Sequence, residues 1–200
     1  MAHDSWTHRL ARAAVRPLVG TPVTPNQLTT ARLVTGLMAC AAFASGTRSG
    51  EIWGGIVWVI SAFLDRADGE LARLGNMMSA KGHAYDYACD VACNGLVFLA
   101  IGIGLRDSPL GEHAIAMGLI AGITVTAASL WSESLERQLA SGRKAYEGAA
   151  GFDFDDILYA FGPVAWAGWL LPLLVGASLG GPVFAILTWL RLRQLRPPAC

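Results

Sequence analysis

Long apolar runs joined by short polar stretches dominate this chain, and they restrict the folds that it can adopt. Hydrophobic residues make up 54% of its 200 residues, only 15% are charged, and the mean hydropathy is +0.44. A soluble domain carries about 25% charged residues, so this composition is typical of a membrane protein. At ~20 residues per span, the length suffices for about six transmembrane helices. The sequence therefore predicts an all-α integral membrane protein.

Six segments are predicted to span the bilayer, and together they form one bundle over residues 25–193 of a single membrane-embedded domain, residues 1–200. Several of their apolar runs are shorter than the ~20 residues that a span needs. Each shortfall coincides with a polar end that suits a protein-lined cavity. The predicted spans are Pro25–Ser45, with Thr24 as N-cap, Glu51–Leu74, Gly82–Leu105, Ala114–Arg137, Asp156–Val175 and Leu179–Arg193.

Residues 1–20, MAHDSWTHRLARAAVRPLVG, precede the first span and differ from it in pattern. Arg9, Arg12 and Arg16 recur at helical spacing, and apolar residues occupy the rest of the helical wheel. This pattern predicts an amphipathic helix in the headgroup plane of an anionic leaflet. The alternative is a basic leader without stable structure.

The basic residues indicate the orientation of the bundle. Six spans place both termini on one side, and most Lys and Arg residues fall on that side, whereas Arg48 and Arg106 fall opposite. The positive-inside rule therefore predicts cytoplasmic termini in the cytoplasmic (inner) membrane. The formal net charge of +0 gives no reason to expect a nucleic-acid partner.

Acidic residues concentrate in one stretch, FLDRADGELARLGNMMSAKGHAYDYACD, at the cytoplasmic ends of the second and third predicted spans. Helical spacing places its acidic and small residues on two facing surfaces, Asp65, Asp68, Gly69 and Ala72 on one and Gly82, Asp86 and Asp90 on the other. Four carboxylates so placed at membrane depth are unstable unless cations bind them. Oxygen ligands favour hard divalent cations, so the stretch predicts a Mg²⁺ or Mn²⁺ site.

The small residues of this stretch leave space beside the carboxylates. Gly69, Ala72 and Gly82 suit a bulky ligand that lies against the backbone, and Arg73 can meet a phosphate of that ligand. Small residues are also common where membrane helices pack together, so close helix packing is the alternative explanation for the glycines.

Written with its spacing, the stretch is D-x-x-D-G-x-x-A-R-(x)8-G-x-x-x-D-x-x-x-D, and it resembles the signature of the CDP-alcohol phosphotransferase (CDP-alcohol phosphatidyltransferase) family at every fixed position. The segment TPNQLTTAR, Thr24–Arg32, resembles the start of that family's first span, and the six-helix layout with an amphipathic leader is also similar. The remaining half of the chain resembles the family only in hydropathy.

The resemblance implies a reaction in phospholipid synthesis. A CDP-linked alcohol, most simply CDP-diacylglycerol, donates its substituted phosphoryl group, here a phosphatidyl group, to an acceptor hydroxyl and releases CMP. A soluble CDP-alcohol that donates to a lipid hydroxyl is the other option. The resemblance also implies two divalent ions, Mg²⁺ or Mn²⁺, and it leaves a homodimer open.

Site residues carry over from the family position by position. The implied metal ligands are Asp65, Asp68, Asp86 and Asp90, with Asp90 also the general base for the acceptor hydroxyl. The implied nucleotide and diphosphate site is lined by Gly69, Ala72, Arg73, Gly82, Asn26 and Thr29. Glu70 lies outside the signature and is interpreted as a solvated charge.

The acceptor is expected to meet the segment Ser132–Asp156, between the fourth and fifth spans. Its candidate acceptor-binding residues are Arg137, Arg143, Lys144 and Asp153. Members that use inositol phosphate or glycerol phosphate look basic here, as a phosphomonoester requires. This chain instead has Asp153, Asp155 and Asp156, which favours an unphosphorylated polyol or amino alcohol. Alternatively, these aspartates complement the positive N-terminal end of the fifth helix.

Two other classes of protein bind ligands through intramembrane aspartates. In an ion-coupled transporter such residues line an ion pathway, but here they lie near one face and form no relay across the bilayer. A membrane prenyltransferase of the UbiA type binds Mg²⁺–diphosphate through two aspartate-rich motifs, whereas this chain has one.

Overall fold

The computed structural model describes residues 5–139, 146 and 154–195, and this part of the chain is helical, without strands. The predicted all-α class is therefore confirmed for the described residues. Seven α-helices follow one another in the described residues: α1 Trp6–Val15, α2 Pro25–Ala44, α3 Arg48–Leu74, α4 Ala80–Gly104, α5 His113–Gln138, α6 Phe161–Trp166 and α7 Leu170–Leu195. Short 3₁₀ helices cover Arg16–Leu18, Leu105–Asp107 and Phe154–Ala160.

The start of α2 follows the local sequence closely. Thr24 has an extended backbone and is the N-cap, and Pro25 occupies the first turn, where its missing N–H costs no hydrogen bond. The Gln27 side chain reaches back and accepts from the Thr24 N–H at 2.9 Å. The predicted beginning of this helix is confirmed.

In the part of the chain that the structure describes, three helices are long and apolar enough to cross a membrane by length and composition. They are α5, α7 and α4 extended to Asp107. These three apolar helices identify the protein as an integral membrane protein. The helices α2 and α3 have 20 and 27 residues. The number of spans, predicted as six, stays a prediction.

The predicted division between the fifth and sixth spans is wrong. α7 continues without a break from Leu170 to Leu195, through residues 176–178 that separate the two predicted spans. The break occurs earlier, at Gly168, whose φ of +73° suits glycine. Glycine weakens a helix in water, but inside a bilayer an interrupted backbone has no water to bond, so the helix continues.

The long helices α2, α3, α4, α5 and α7 pack in a chain of neighbours, with α2 touching both α3 and α4, and α5 touching both α4 and α7. Glycine allows the close α4–α5 contact. A Cβ on Gly102 would lie 2.5 Å from the Ala114 carbonyl oxygen, and one on Gly118 would lie 2.5 Å from that of Phe98. This close packing is typical of membrane helices.

The leader forms a helix, as predicted, and α1 packs on α3. Its buried residues are Thr7, Ala11 and Val15, while Trp6 and Leu10 are exposed. Val15 belongs to a small apolar cluster with Ala67 and Leu71 of α3. α1 therefore lies against the half of α3 that carries the acidic stretch. Its placement in the headgroup plane stays a prediction.

Candidate active site

Three of the four predicted acidic residues converge where the end of α3 faces the start of α4. Asp65, Asp86 and Asp90 each offer a carboxylate oxygen, and these oxygens lie within 4.8 Å of one another. The connection between the helices is short. In it, Asn76 adopts a positive φ of 51°, and the Ser79 hydroxyl caps α4 by accepting from Gly82 N–H at 3.0 Å. The two helix faces deduced from the spacing do meet.

Asp68, the fourth aspartate, is held from the other side. It is buried, and its Oδ2 accepts a hydrogen bond of 2.6 Å from Thr29 Oγ1 on α2. Asp68 and Asp86 line the same cavity. The structure thus places Asp68 next to the acidic cluster. Thr29, a predicted nucleotide-site residue, contacts Asp68 directly.

Sequence reasoning missed Arg32, which enters the acidic cluster from α2. Its side chain is only 3% exposed. Nε donates to Asp65 Oδ1 at 3.1 Å, Nη1 donates to the Cys89 carbonyl oxygen at 2.8 Å, and Nη2 lies 2.7 Å from Asp90 Oδ1. The available signal was an arginine in the middle of an apolar span, since such a charge requires a partner inside the protein.

The carboxylates suit a divalent cation. Four aspartates face one arginine, so three negative charges remain uncompensated when all four are ionised. Within the described chain, the buried oxygens Asp86 Oδ1 and Asp90 Oδ1 have no hydrogen-bond partner. The contact between Asp90 and Arg32 is an ion pair without hydrogen-bond alignment. Buried oxygens that lack donors are the ligands that a hard cation requires.

A cavity of about 470 Å³ opens beside the carboxylates, within the size range of small-molecule sites. It is bounded by the ends of α2, α3 and α4. All six residues predicted for the nucleotide and diphosphate site line it, namely Asn26, Thr29, Gly69, Ala72, Arg73 and Gly82. Their role as ligand contacts stays a prediction, but the structure brings them together.

Gly69 is not required by helix packing. A Cβ added there would approach only the Arg73 guanidinium, at 3.5–3.8 Å, which is ordinary contact distance. At Gly82 an added Cβ would lie 3.0 Å from the Ser79 hydroxyl and 3.3 Å from the Asn26 side-chain oxygen. The space in front of Gly69 therefore belongs to the cavity, which favours the ligand explanation for this residue over the packing explanation.

The interpretation of Glu70 as a solvated charge is wrong. Glu70 is 2% exposed and lies on the face of α3 that α1 covers. It accepts from His8 Nδ1 and Arg12 Nε, both at 2.9 Å, and from Arg73 Nη2 at 2.7 Å. The docking of α1 on this face is a tertiary contact, which the local sequence around Glu70 does not indicate.

The acceptor candidates are only partly within the described chain. Arg137 at the end of α5 is 72% exposed and pairs with Glu133 at 2.5 Å. Glu133 also lies 3.6 Å from His83, a cavity residue, so this end of α5 is close to the cavity. Arg143, Lys144 and Asp153 lie outside the described residues.

Asp156, one of the three aspartates used to predict the acceptor, makes contacts within the fold. It is buried, accepts from Thr7 Oγ1 at 2.7 Å, and pairs with Arg66 at 3.4 Å. Its charge is therefore balanced by Arg66 of α3. It gives no information about the charge of the acceptor.

Comparison with known proteins follows from this geometry. The family model of CDP-alcohol phosphatidyltransferases matches residues 22–190. No curated protein sequence matches the chain. Among solved structures, phosphatidylinositol phosphate synthase (PgsA1) of Mycobacterium tuberculosis with CDP-DAG bound superposes with a TM-score of 0.59 at 20% identity, covering 94% of this chain and 90% of that one.

The same Mycobacterium tuberculosis enzyme in complex with manganese and citrate has a TM-score of 0.57 at 22% identity, covering 94% of this chain and 86% of that one. These matches show the fold. The family match supports a metal-dependent transferase of phospholipid synthesis, and the prenyltransferase and transporter alternatives are not favoured. With a family model that matches most of its length, the chain belongs to the CDP-alcohol phosphatidyltransferase family.

Proposed function

We propose that this protein transfers a phosphatidyl group from CDP-diacylglycerol to the hydroxyl of a small alcohol and releases CMP. One observation carries the proposal: six of the eight fixed residues of the signature, on α3 and α4, line a single cavity together with Asn26 and Thr29 of α2, next to the acidic cluster. The 470 Å³ of this cavity suit a nucleotide head, while the apolar surface of the bundle suits the lipid chains.

The residues divide the work by position. Asn26, Thr29, Gly69, Ala72 and Gly82 bind and orient the cytidine nucleotide, and Arg73 binds the diphosphate. Asp65, Asp68, Asp86 and Asp90 would hold divalent cations, two of them, Mg²⁺ or Mn²⁺. When bound, such cations neutralise the diphosphate and polarise the phosphorus under attack. The cations would also balance the negative charge of the acidic cluster, which lies at membrane depth.

Asp90 takes the proton of the acceptor hydroxyl. The acceptor oxygen attacks the phosphorus that carries diacylglycerol, the bond from this phosphorus to the CMP oxygen breaks, and CMP leaves with the electron pair. Arg32 supports this role because its guanidinium, 2.7 Å away, fixes the position of the Asp90 carboxylate. A positioned carboxylate contributes about 10²–10⁴-fold to rate as a general base.

The acceptor is proposed to enter beside the C-terminal end of α5, because Glu133 of this helix reaches the cavity residue His83. Arg137 of that helix and the Arg143, Lys144 and Asp153 that follow it are the proposed acceptor contacts. An unphosphorylated polyol or amino alcohol remains the proposed acceptor. With Asp156 balanced by Arg66, support for this choice comes from Asp153 and Asp155.

The test is CMP release by purified protein in detergent or lipid nanodiscs, with CDP-diacylglycerol and Mg²⁺. Free alcohols and their phosphates are supplied in parallel, and the lipid product is identified by mass spectrometry. Product with free polyols or amino alcohols is expected. Product with inositol phosphate or glycerol phosphate alone would contradict the acceptor proposal, whereas no CMP release with any acceptor would contradict the donor.

The proposed topology has six spans, formed by α2, α3, α4, α5, α6 with its 3₁₀ start, and α7, with the termini and the cavity on the cytoplasmic side. The 3₁₀ helix and α6, residues 154–166, rise roughly 23 Å, less than the ~30 Å hydrocarbon core. Fusions of alkaline phosphatase and green fluorescent protein at residue 46 and after residue 195 test the topology. Fluorescence is expected only from the second position, and the reverse would refute it.

A further inference from the structure

Glu70 links the N-terminal helix to the cavity without touching the cavity itself. Its carboxylate lies behind Arg73 and is 2% exposed, whereas Arg73 is 48% exposed and lines the cavity. Within the described chain, Glu70 is the one acceptor that Arg73 contacts, through Nη2 at 2.7 Å. The position of the Arg73 guanidinium therefore depends on where the Glu70 carboxylate is held.

Helix α1 provides most of what holds that carboxylate. His8 Nδ1 donates to Oε1, and Arg12 donates to Oε2 through Nε and to Oε1 through Nη2 at 3.5 Å. On an exposed helix, an i,i+3 pair such as Glu70–Arg73 contributes little to stability and does not fix a side chain. Buried and supported by two side chains of α1, Glu70 becomes a fixed acceptor.

His8 is itself fixed on both ring nitrogens. Nδ1 donates to Glu70, and Nε2 accepts from Arg66 Nη1 at 3.2 Å. Arg66 continues to Asp156, which also accepts from Thr7 of α1. α1 is thus fastened to α3 at two points along its buried face, and one of these points is the group that orients Arg73.

The exposure of Arg73 is consistent with phosphate binding. Its side chain is 48% exposed, and its contact with Glu70 uses Nη2. Glu70 therefore positions Arg73 while the guanidinium still lines the cavity. A planar guanidinium held in this way presents its remaining N–H groups to a diphosphate in a fixed orientation, which charge-assisted hydrogen bonds require.

We propose that Glu70 is a positioning residue for Arg73, and that α1, through His8 and Arg12, completes the diphosphate end of the nucleotide site. The inference rests on the proposed function insofar as the ligand is a cytidine diphosphate group. α1 then belongs to the donor site, in addition to any contact that it makes with the membrane surface.

The experiment measures the binding of CDP, which has no acyl chains, so that changes in lipid contacts of α1 do not affect it. Full-length protein in detergent with Mg²⁺ is titrated by calorimetry. Glu70→Gln and Arg12→Gln are expected to weaken CDP binding roughly tenfold, as the loss of a hydrogen bond to a charged group does. In turnover, both are expected to raise KM for CDP-diacylglycerol more than they lower kcat.

Two matched controls separate positioning from general effects. Arg9→Gln removes an exposed arginine of the same helix, and Glu51→Gln removes the acidic partner of Arg48 at the other end of α3. Both are expected to bind CDP like the wild type. A loss with Arg9→Gln equal to that with Arg12→Gln would mean that α1 acts through its overall positive charge and not through its contact with Glu70, and would overturn the proposal.

A double-mutant cycle gives the decisive result. If Glu70 acts through Arg73, Glu70→Gln has little further effect on CDP binding in an Arg73→Gln background. Equal weakening in both backgrounds would show a structural role for Glu70 and overturn the inference. If wild-type protein and the Glu70→Gln variant bind CDP equally well, the inference alone is refuted. If wild-type protein neither binds CDP nor releases CMP, the proposed function is refuted as well.

Discussion

Arg32 Nη2 on α2 lies 2.7 Å from Asp90 Oδ1 on α4, so the first long helix supplies a cation to the acidic cluster formed by the next two. The same guanidinium donates to Asp65 on α3. Three helices therefore meet at one charge network, with Arg32 at its centre. Because both partners of Arg32 are proposed metal ligands, the strength of this network should depend on whether divalent cations are bound.

Metal removal is expected to abolish transfer. EDTA should stop CMP release, and Mg²⁺ or Mn²⁺ should restore it, because the cluster holds more negative charge than Arg32 balances. Asp65→Asn and Asp86→Asn should each lower kcat by orders of magnitude, while circular dichroism shows an intact helical bundle. Full activity of either variant would contradict the assignment of these residues as metal ligands.

Asp90→Asn separates binding from chemistry. As general base, Asp90 should contribute about 10²–10⁴-fold to the rate of transfer. The variant should therefore still bind CDP with Mg²⁺, measured by calorimetry, and should lose CMP release in the presence of an acceptor. If CDP binding and metal binding disappear together, Asp90 is primarily a metal ligand.

Arg32→Gln is expected to destabilise the protein more in the absence of metal than with divalent cations bound. Loss of one partner from a buried ion pair costs about 3–5 kcal/mol, because the remaining charges are left uncompensated. Divalent cations should recover part of this loss by taking the place of the missing positive charge. Thermal unfolding with EDTA and with Mg²⁺ measures both effects.

Arg137→Gln is the control for that measurement. Its pair with Glu133 is exposed and should contribute only about 0–1 kcal/mol. Arg32→Gln protein with the same unfolding temperature as wild type in EDTA would show that Arg32 does not balance the cluster.

Thr29→Val tests the support of Asp68. The change keeps the shape of the side chain but removes the 2.6 Å hydrogen bond to Asp68 Oδ2. Partners that orient a metal ligand typically contribute about 10–100-fold to metal affinity. Activation of CMP release by Mn²⁺ should therefore require correspondingly more metal. Thr30→Val, at the exposed neighbouring position, should behave like wild type, and equal effects of the two changes would argue against this role for Thr29.

Gly69→Ala should separate stability from ligand binding. Its new methyl group meets no backbone atom of the fold, and alanine favours a helix by about 1 kcal/mol over glycine, so stability should be kept or increased. Because the methyl group enters the cavity, CDP affinity should fall, by about 1–3 kcal/mol if it behaves as overpacking. Calorimetry and thermal unfolding measure the two effects.

Gly102→Ala is the opposite case. Its methyl group would collide with the Ala114 carbonyl oxygen at the α4–α5 contact, away from the cavity, so stability should fall. Unchanged CDP binding by Gly69→Ala would show that the space in front of Gly69 is not used by the nucleotide.

Local sequence was sufficient for several parts of this structure. The start of α2 follows from Thr24, Pro25 and Gln27, whose capping interactions involve neighbours in the chain. The convergence of Asp65, Asp86 and Asp90 follows from helical spacing on two helices joined by a short turn, which leaves few alternative arrangements. The family assignment from the signature is confirmed.

Other features required the tertiary structure. The role of Arg32 depends on the packing of α2 against both α3 and α4, and the burial of Glu70 depends on the docking of α1, about sixty residues earlier in the chain. Helical spacing predicts which residues share a face of one helix, but it does not say which distant helix covers that face. Hence the sequence determined the all-α membrane class, the acidic faces and the reaction class, whereas packing decided which charges are buried, which partners balance them and where the last helix begins.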